Sequence, residues 1–137
     1  MTDLPRFVAD THALLWDLDE NPRLSPTAGS HFVAADSGEP WIYVSVISLV
    51  EMIYLADRGR FDSAVTTHVL NLLATSNGSY SPVEIDLDTV RSLRLVPRAA
   101  VPDMPDRIIT ATALSLNLPL ITVDERIRAS GVVPIVW

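Results

Sequence analysis

At residues 7–16 the sequence reads Phe7-Val8-Ala9-Asp10-Thr11-His12-Ala13-Leu14-Leu15-Trp16. A short apolar run that stops at an acid predicts a buried strand ending at Asp10. The residues after it favour a helix from His12 to about Leu18. A strand that leads directly into a helix is typical of α/β proteins, in which helices cover both faces of a parallel sheet.

The same alternation of strands and helices continues to the end of the chain. Further strands are predicted at residues 41–44, 83–85, 120–123 and 133–136, all of them apolar runs rather than alternating ones. Capping residues predict where the later helices start: Ser25-Pro26, Ser45, Asp62, Asp103 and Glu125, with one more helix opened by either Asp86 or Asp88. The helix ends are predicted near Gly38, Gly59, Asn77-Gly78, Leu116 and Ala129. The pattern predicts one α/β domain over residues 1–137, a parallel β-sheet flanked by helices on both faces.

Composition excludes several classes of protein. Of the 137 residues, 48% are hydrophobic and none is Cys, which rules out disulfides and thiolate metal sites. No secretory signal and no apolar stretch of membrane-spanning length is evident, so we expect a soluble cytoplasmic protein without a membrane partner. All ten basic residues are Arg, and the absence of Lys excludes a P-loop.

The net charge of −7 has to be reconciled with any role in binding nucleic acid, because phosphates are bound chiefly by Lys and Arg. Arg is the better bidentate ligand for phosphate. Carboxylates that hold divalent metals would be offset by the charge of the metal, and a partner protein could supplement the surface.

Four carboxylates occupy matching places in the predicted architecture. Asp10 and Asp124 end strands, Glu51 lies in the second turn of a helix after a strand, and Asp106 lies in the first turn of another helix. All four are expected at the carboxyl edge of the sheet, where α/β proteins bind ligands. Asp10, Asp124 and the pair Asp103/Asp106 could each be ordinary helix caps, but a shared site explains all four at once. Because gathered carboxylates repel one another, such a site favours a hard divalent cation.

Four segments resemble the VapC branch of the PIN-domain family in order and spacing. They are residues 7–16, quoted above, residues 43–52, residues 103–113 and residues 120–126. The resemblance implies that Asp10, Glu51, Asp106 and Asp124 form the acidic quartet of a Mg²⁺- or Mn²⁺-dependent endoribonuclease, which cleaves RNA phosphodiester bonds with metal-activated water. It further implies a toxin of a toxin–antitoxin pair, a homodimer, and an antitoxin protein that blocks the acidic site.

Several other residues lie near the acids in the sequence and could support the site. Thr11, Ser48, Asp103 and Thr122 are candidates to orient the metal ligands or their water, although each also fits an ordinary packing or capping role. Arg107 is a candidate phosphate contact, or else a surface ion pair. His12, His31 and His68 show no metal-ligand spacing, and Trp16, Trp41 and Trp137 are expected in the core or an interface.

Two alternatives remain open at this stage. One is a module that keeps the PIN fold but has lost catalysis, against which the complete quartet counts. The other is a phosphoacceptor or phosphatase domain that uses Asp10 as nucleophile. The missing Lys counts against that second reading, as does Thr11-His12 where such phosphatases have a second Asp.

Overall fold

The computed structural model describes residues 5–36, 41–74 and 79–137. Five strands and seven helices occur in these ranges. The strands are β1 (Arg6–Ala9), β2 (Trp41–Ser45), β3 (Tyr80–Val83), β4 (Leu120–Ile121) and β5 (Ile135–Val136). The helices are α1 (Thr11–Leu18), α2 (Pro26–Asp36), α3 (Val46–Asp57), α4 (Ser63–Ala74), α5 (Leu87–Leu93), α6 (Met104–Leu116) and α7 (Glu125–Ser130).

The strands form one sheet in the order β3-β2-β1-β4-β5, and every neighbouring pair is parallel. The chain builds the sheet outward from β1 in one direction through β2 and β3, and in the other through β4 and β5. The strand order therefore reverses between β1 and β4. Sheets of this kind bind ligands at such a reversal, beyond the carboxyl ends of the strands.

Each face of the sheet carries its own apolar core. Phe7 and Ala9 point to a cluster that includes Phe32 and Met52, whereas Val8 points to the opposite cluster with Ile109. The central strands β1 and β4 are thus buried on both sides, as their continuous apolar sequence predicts. The α/β fold with a parallel sheet and helices on both faces is confirmed.

The predicted helix starts are confirmed where side-chain caps are found. Ser25 Oγ accepts from the Ala28 N–H, Ser45 Oγ from Ile47, and Asp86 Oδ1 from Thr89. Asp86, rather than Asp88, therefore caps α5. The predicted helix ends at Gly38 and at Asn77-Gly78 lie outside the described residues.

One strand was misplaced by the sequence. We predicted residues 83–85, but β3 spans Tyr80–Val83, and Glu84 and Ile85 are exposed beyond it. Residue 82 of β3 is a proline, which cannot donate to a strand ladder. Because β3 is an edge strand, proline is tolerated there. The predicted strands 120–123 and 133–136 are also shorter, at Leu120–Ile121 and Ile135–Val136.

Candidate active site

The carboxyl ends of β1 and β4 bring two acids together from distant parts of the chain. The two strands pair with Ala9 opposite Ile121, so Asp10 follows one strand end and Thr122 follows the other. Asp124 comes two residues further on, as the N-cap of α7. The site therefore lies where the strand order of the sheet reverses.

Asp10 is the most buried of the four acids, with 4% of its surface exposed. It stands at the N-cap position of α1, yet its side chain makes no capping hydrogen bond, so the capping explanation for Asp10 is wrong. Its Oδ2 accepts a hydrogen bond of 2.7 Å from the Thr122 hydroxyl. Its Oδ1 is buried and has no hydrogen-bond partner among the described residues. A buried acceptor in this state is costly unless a ligand satisfies it.

Thr122 connects two of the acids. Its hydroxyl donates to Asp10 and accepts a 3.0 Å hydrogen bond from the backbone N–H of Asp124. The hydroxyl proton therefore points to Asp10, and an oxygen lone pair faces the Asp124 N–H. Thr122 is fully buried, so this geometry is protected from solvent.

Glu51 is oriented by the threonine that follows Asp10. The Thr11 hydroxyl lies 2.7 Å from Glu51 Oε1 and 2.8 Å from Ser48 Oγ. An ionised carboxylate can only accept, so when Glu51 is charged Thr11 donates to it and Ser48 takes the other side of the hydroxyl. Glu51 is half-buried on α3, one helical turn after the buried Ser48.

The start of α6 contributes two further acids. Asp103 caps the helix, since its Oδ2 accepts from the Asp106 N–H at 3.1 Å. Asp106 is half-buried in the first turn, and no side-chain hydrogen bond returns from it to complete a capping box within the described residues. Asp124 caps α7 through Oδ1, which accepts from the Ile127 N–H at 2.9 Å. Helix capping therefore accounts in part for the presence of Asp103 and Asp124 at these positions. It does not account for Asp106.

All four predicted acids line one cavity of about 220 Å³, which we call the acidic cavity. Its other lining residues are Asp103, His12, Trp16 and Val123. Sequence reasoning missed His12 and Trp16. The signal available was their spacing on α1, where residues four apart share a helix face and His12 lies two residues after Asp10.

Burial and mutual repulsion raise the pKa values of three of the acids. Burial raises the pKa of Asp106 to about 8, with further repulsion from Asp10, Asp103, Asp124 and Glu51. The pKa of Glu51 is raised by burial and Asp10, against the lowering effect of the Thr11 hydrogen bond. Burial also raises the pKa of Asp10, against its hydrogen bond from Thr122 and the nearby His12. The cavity thus concentrates negative charge that a cation would stabilise.

The donors of the acidic cavity suit a hard divalent cation. They are carboxylate oxygens, which Mg²⁺ and Mn²⁺ prefer, and Asp10 offers a buried oxygen without a partner. In residues 5–36, 41–74 and 79–137, no three His, Asp or Glu side chains already stand in an arrangement that could hold a metal ion.

Arg107 is placed elsewhere. Its Nε and Nη2 donate to the backbone carbonyl of Val96, at 3.3 and 2.9 Å, and Nη2 also donates to that of Leu93 at 3.2 Å. Arg107 does not line the acidic cavity. It satisfies carbonyl groups at the end of α5 and just beyond it, so the expected phosphate contact gives way to a structural role for this guanidinium.

Comparison with known proteins agrees with this architecture. A family model for the PIN domain matches residues 7–132. Ribonuclease VapC22 of Mycobacterium tuberculosis is 30% identical over 120 residues, which cover 88% of each chain. Among solved structures, VapBC2 of Rickettsia felis bound to promoter DNA matches with a TM-score of 0.68 and 12% identity, over 95% of this chain and 96% of the other. A toxin–antitoxin complex from Klebsiella pneumoniae matches with a TM-score of 0.59 and 18% sequence identity, over 95% of each chain.

Proposed function

The chain belongs to the PIN-domain family and is VapC-like, and we propose that it is a metal-dependent endoribonuclease that acts as the toxin of a toxin–antitoxin pair. The observation that carries the proposal is the acidic cavity, where Asp10, Glu51, Asp106 and Asp124 meet beyond the strand ends. We take residues 1–137 as a single PIN domain that works in the cytoplasm. Family membership favours this reading over the phosphoacceptor alternative.

In this proposal Asp10, Asp106 and Asp124 hold Mg²⁺ or Mn²⁺, and Glu51 holds the metal or positions a water. When bound, the ion activates water and offsets the charge of the phosphate. The chain prepares the ligands through hydrogen bonds. Thr122 fixes one oxygen of Asp10 and leaves Oδ1 free, and Thr11 fixes Oε1 of Glu51. Supports of this kind orient ligands and tune their affinity for a metal.

Asp103 has a supporting role at the same site. Its carboxylate caps α6 and so holds the first turn, which carries Asp106, in place. It also adds negative charge that raises the pKa of both Asp106 and Glu51. Substrate phosphate therefore approaches only after a cation has compensated these acids.

The partners we propose are an RNA substrate, a cognate antitoxin and a second copy of the chain. The similarity to toxin–antitoxin complexes supports an antitoxin, and the acidic cavity would attract a cationic segment of it. Exposed apolar side chains support a homodimer. They stand three or four residues apart on two helices: Val50, Ile53 and Tyr54 on α3, and Leu87 and Val90 on α5. None of the described helices is long and apolar enough to cross a membrane.

The toxin proposal is tested by induced expression in a bacterial host. We expect growth to stop when the chain is expressed alone, and to resume when a small reading frame beside its gene is co-expressed. Asp106→Asn, which keeps the shape of the side chain but cannot form a carboxylate, should not stop growth. Equal inhibition by this variant at equal folded amounts would contradict the proposal.

A further inference from the structure

An imidazole stands among the carboxylates of the acidic cavity. His12 lies in the first turn of α1, two residues after Asp10, and its side chain is exposed. Five of the other lining residues are acids, and the remaining two are Trp16 and Val123. An indole N–H can only donate a hydrogen bond. Among the residues that line this cavity, His12 is therefore the one that offers a nitrogen lone pair.

The ring nitrogens of His12 are not engaged by the protein. In residues 5–36, 41–74 and 79–137, neither of them takes part in a hydrogen bond or an ion pair. The ring makes an edge contact with Trp16, at a centroid distance of 6.2 Å and an interplanar angle of 63°. A ring contact of this kind occupies no lone pair. A neutral imidazole in this position can therefore bind a metal ion through a ring nitrogen.

His12 is also close to acids from two different elements. Burial raises the pKa of both Asp10 and Glu51, and the charge of His12 opposes that rise at both positions. In the described part of the chain, no nitrogen of His12 lies within 4.0 Å of an acid oxygen. Ligands on opposite sides of an octahedral ion are about 4.2 Å apart, since each bond is about 2.1 Å long. An ion between the imidazole and the acids therefore needs no direct contact between them.

The fold gives His12 a meaning that its sequence position lacks. No second histidine stands at ligand spacing from it, and Asp10-x-His12 alone is a weak pattern. In the folded chain, α3, α6 and the segment after β4 bring their acids to the same cavity. The buried Oδ1 of Asp10, which has no partner among the described residues, is an independent sign that this cavity takes a ligand.

We propose that His12 is a further ligand of the metal ion and makes the acidic cavity select a transition-metal dication, Mn²⁺ rather than Mg²⁺. This inference rests on the proposed function and specifies the ion in its metal site. Carboxylates accept both ions, so the discrimination has to come from another ligand.

The chemistry of the two ions gives the direction of the preference. Mg²⁺ demands near-ideal octahedral geometry, gives up its waters reluctantly and is bound in proteins chiefly through oxygen. Imidazole nitrogen is instead a ligand typical of transition-metal ions. His12 therefore adds to the affinity for Mn²⁺ and little to the affinity for Mg²⁺.

The test is metal binding by the full chain without an affinity tag, because a histidine tag would itself bind transition metals. Isothermal titration calorimetry at pH 8, where an imidazole is neutral, gives the dissociation constants of Mn²⁺ and Mg²⁺. We expect wild type to bind Mn²⁺ more tightly. His12→Phe keeps a ring beside Trp16 and removes both nitrogens. It should weaken Mn²⁺ binding at least about tenfold, the lower end of the loss when a partner of a metal site is removed, and change Mg²⁺ binding little.

Pulsed EPR of the Mn²⁺ complex reports the ligand directly, since a coordinated imidazole nitrogen couples to the electron spin of the ion. We expect this coupling in wild type and its loss in His12→Phe and in His12→Ala. His68→Phe is the matched control, because His68 is also exposed but lies on α4 and does not line the acidic cavity. It should keep the coupling and both dissociation constants. Circular dichroism checks that each variant folds.

Three results would overturn the inference. They are equal affinity of wild type for the two ions, an unchanged ratio of the two dissociation constants in His12→Phe, and Mn²⁺ bound to wild type without nitrogen coupling. Each of them would leave the proposed nuclease function standing, because the carboxylates alone would then hold the ion. A wild-type chain that binds neither ion would instead contradict the metal site itself, and with it both proposals.

Discussion

The hydroxyl of Thr122 donates a 2.7 Å hydrogen bond to Oδ2 of Asp10, although 112 residues separate the two. The bond exists because β1 and β4 pair side by side, with Ala9 opposite Ile121. It fixes one oxygen of the most buried acid and leaves the other without a partner in the described structure. The same hydrogen bond thus contributes to the stability of the fold and orients Asp10 as a proposed metal ligand.

Replacing the Thr122 hydroxyl is expected to destabilise the protein. Thr122→Val keeps the shape of the side chain but leaves Asp10 Oδ2 and the Asp124 N–H without this partner. Loss of a buried partner of a polar group costs about 1–3 kcal/mol. Denaturant unfolding should show this loss for Thr122→Val and a much smaller one for Thr122→Ser. Equal stability of Thr122→Val and wild type would show that the hydrogen bond is not formed in solution.

Divalent metal is expected to stabilise the folded chain. The acids of the acidic cavity repel one another, so a cation that binds only the folded state adds about 2.7 kcal/mol at a hundredfold excess over its dissociation constant. Differential scanning fluorimetry should show a higher Tm in millimolar Mg²⁺ or Mn²⁺ than in EDTA. Asp10→Asn should reduce the shift. An unchanged Tm in both metals would count directly against a metal site.

Asp17 should make stability depend on pH. Burial raises its pKa to about 6, with repulsion from Asp36 and Glu20. The folded state then holds a proton that the unfolded state has released between about pH 4 and 6. Stability therefore falls as pH rises through that window. Asp17→Asn should raise the free energy of unfolding by about 1–2 kcal/mol at pH 7, after allowance for solvent screening.

The pH comparison gives this prediction its control. Asp17→Asn and wild type should differ much less below about pH 3, where Asp17 is largely protonated in both states. Asp57→Asn, at the exposed end of α3, should change little at either pH. A Tm of Asp17→Asn no higher than wild type at pH 7 would be inconsistent with the raised pKa.

Arg107 should prove structural rather than catalytic. Its guanidinium donates to the carbonyls of Leu93 and Val96, so Arg107→Gln leaves acceptors unsatisfied and should cost about 1–3 kcal/mol. Cleavage per folded molecule should stay near that of wild type. Arg126→Gln, exposed on α7, is the control for loss of a positive charge. A stable Arg107→Gln variant with impaired cleavage would restore the phosphate role.

The sequence predicted what local patterns determine. Apolar runs located β1 and β2, and capping residues such as Ser45 and Asp103 located the starts of their helices. Contacts that depend on how helices pack against one another could not be predicted from the sequence. The position of Trp16 at the acidic cavity and the engagement of Arg107 with the end of α5 follow from how the helices meet. The position of β3 depends on its pairing with β2 at the edge of the sheet, which the apolar pattern does not show.

The most direct test of the account is cleavage of RNA by the purified chain. A fluorescent single-stranded RNA is incubated with wild type and with Asp10→Asn, in Mg²⁺ or Mn²⁺ and in EDTA, and folding is checked by circular dichroism. A bound metal ion contributes several kcal/mol of charge stabilisation in the transition state, and each 1.36 kcal/mol is tenfold in rate. We predict metal-dependent cleavage by wild type and a loss of at least about a hundredfold in the folded variant. Equal cleavage by wild type and folded Asp10→Asn, or cleavage that persists in EDTA, would contradict the account.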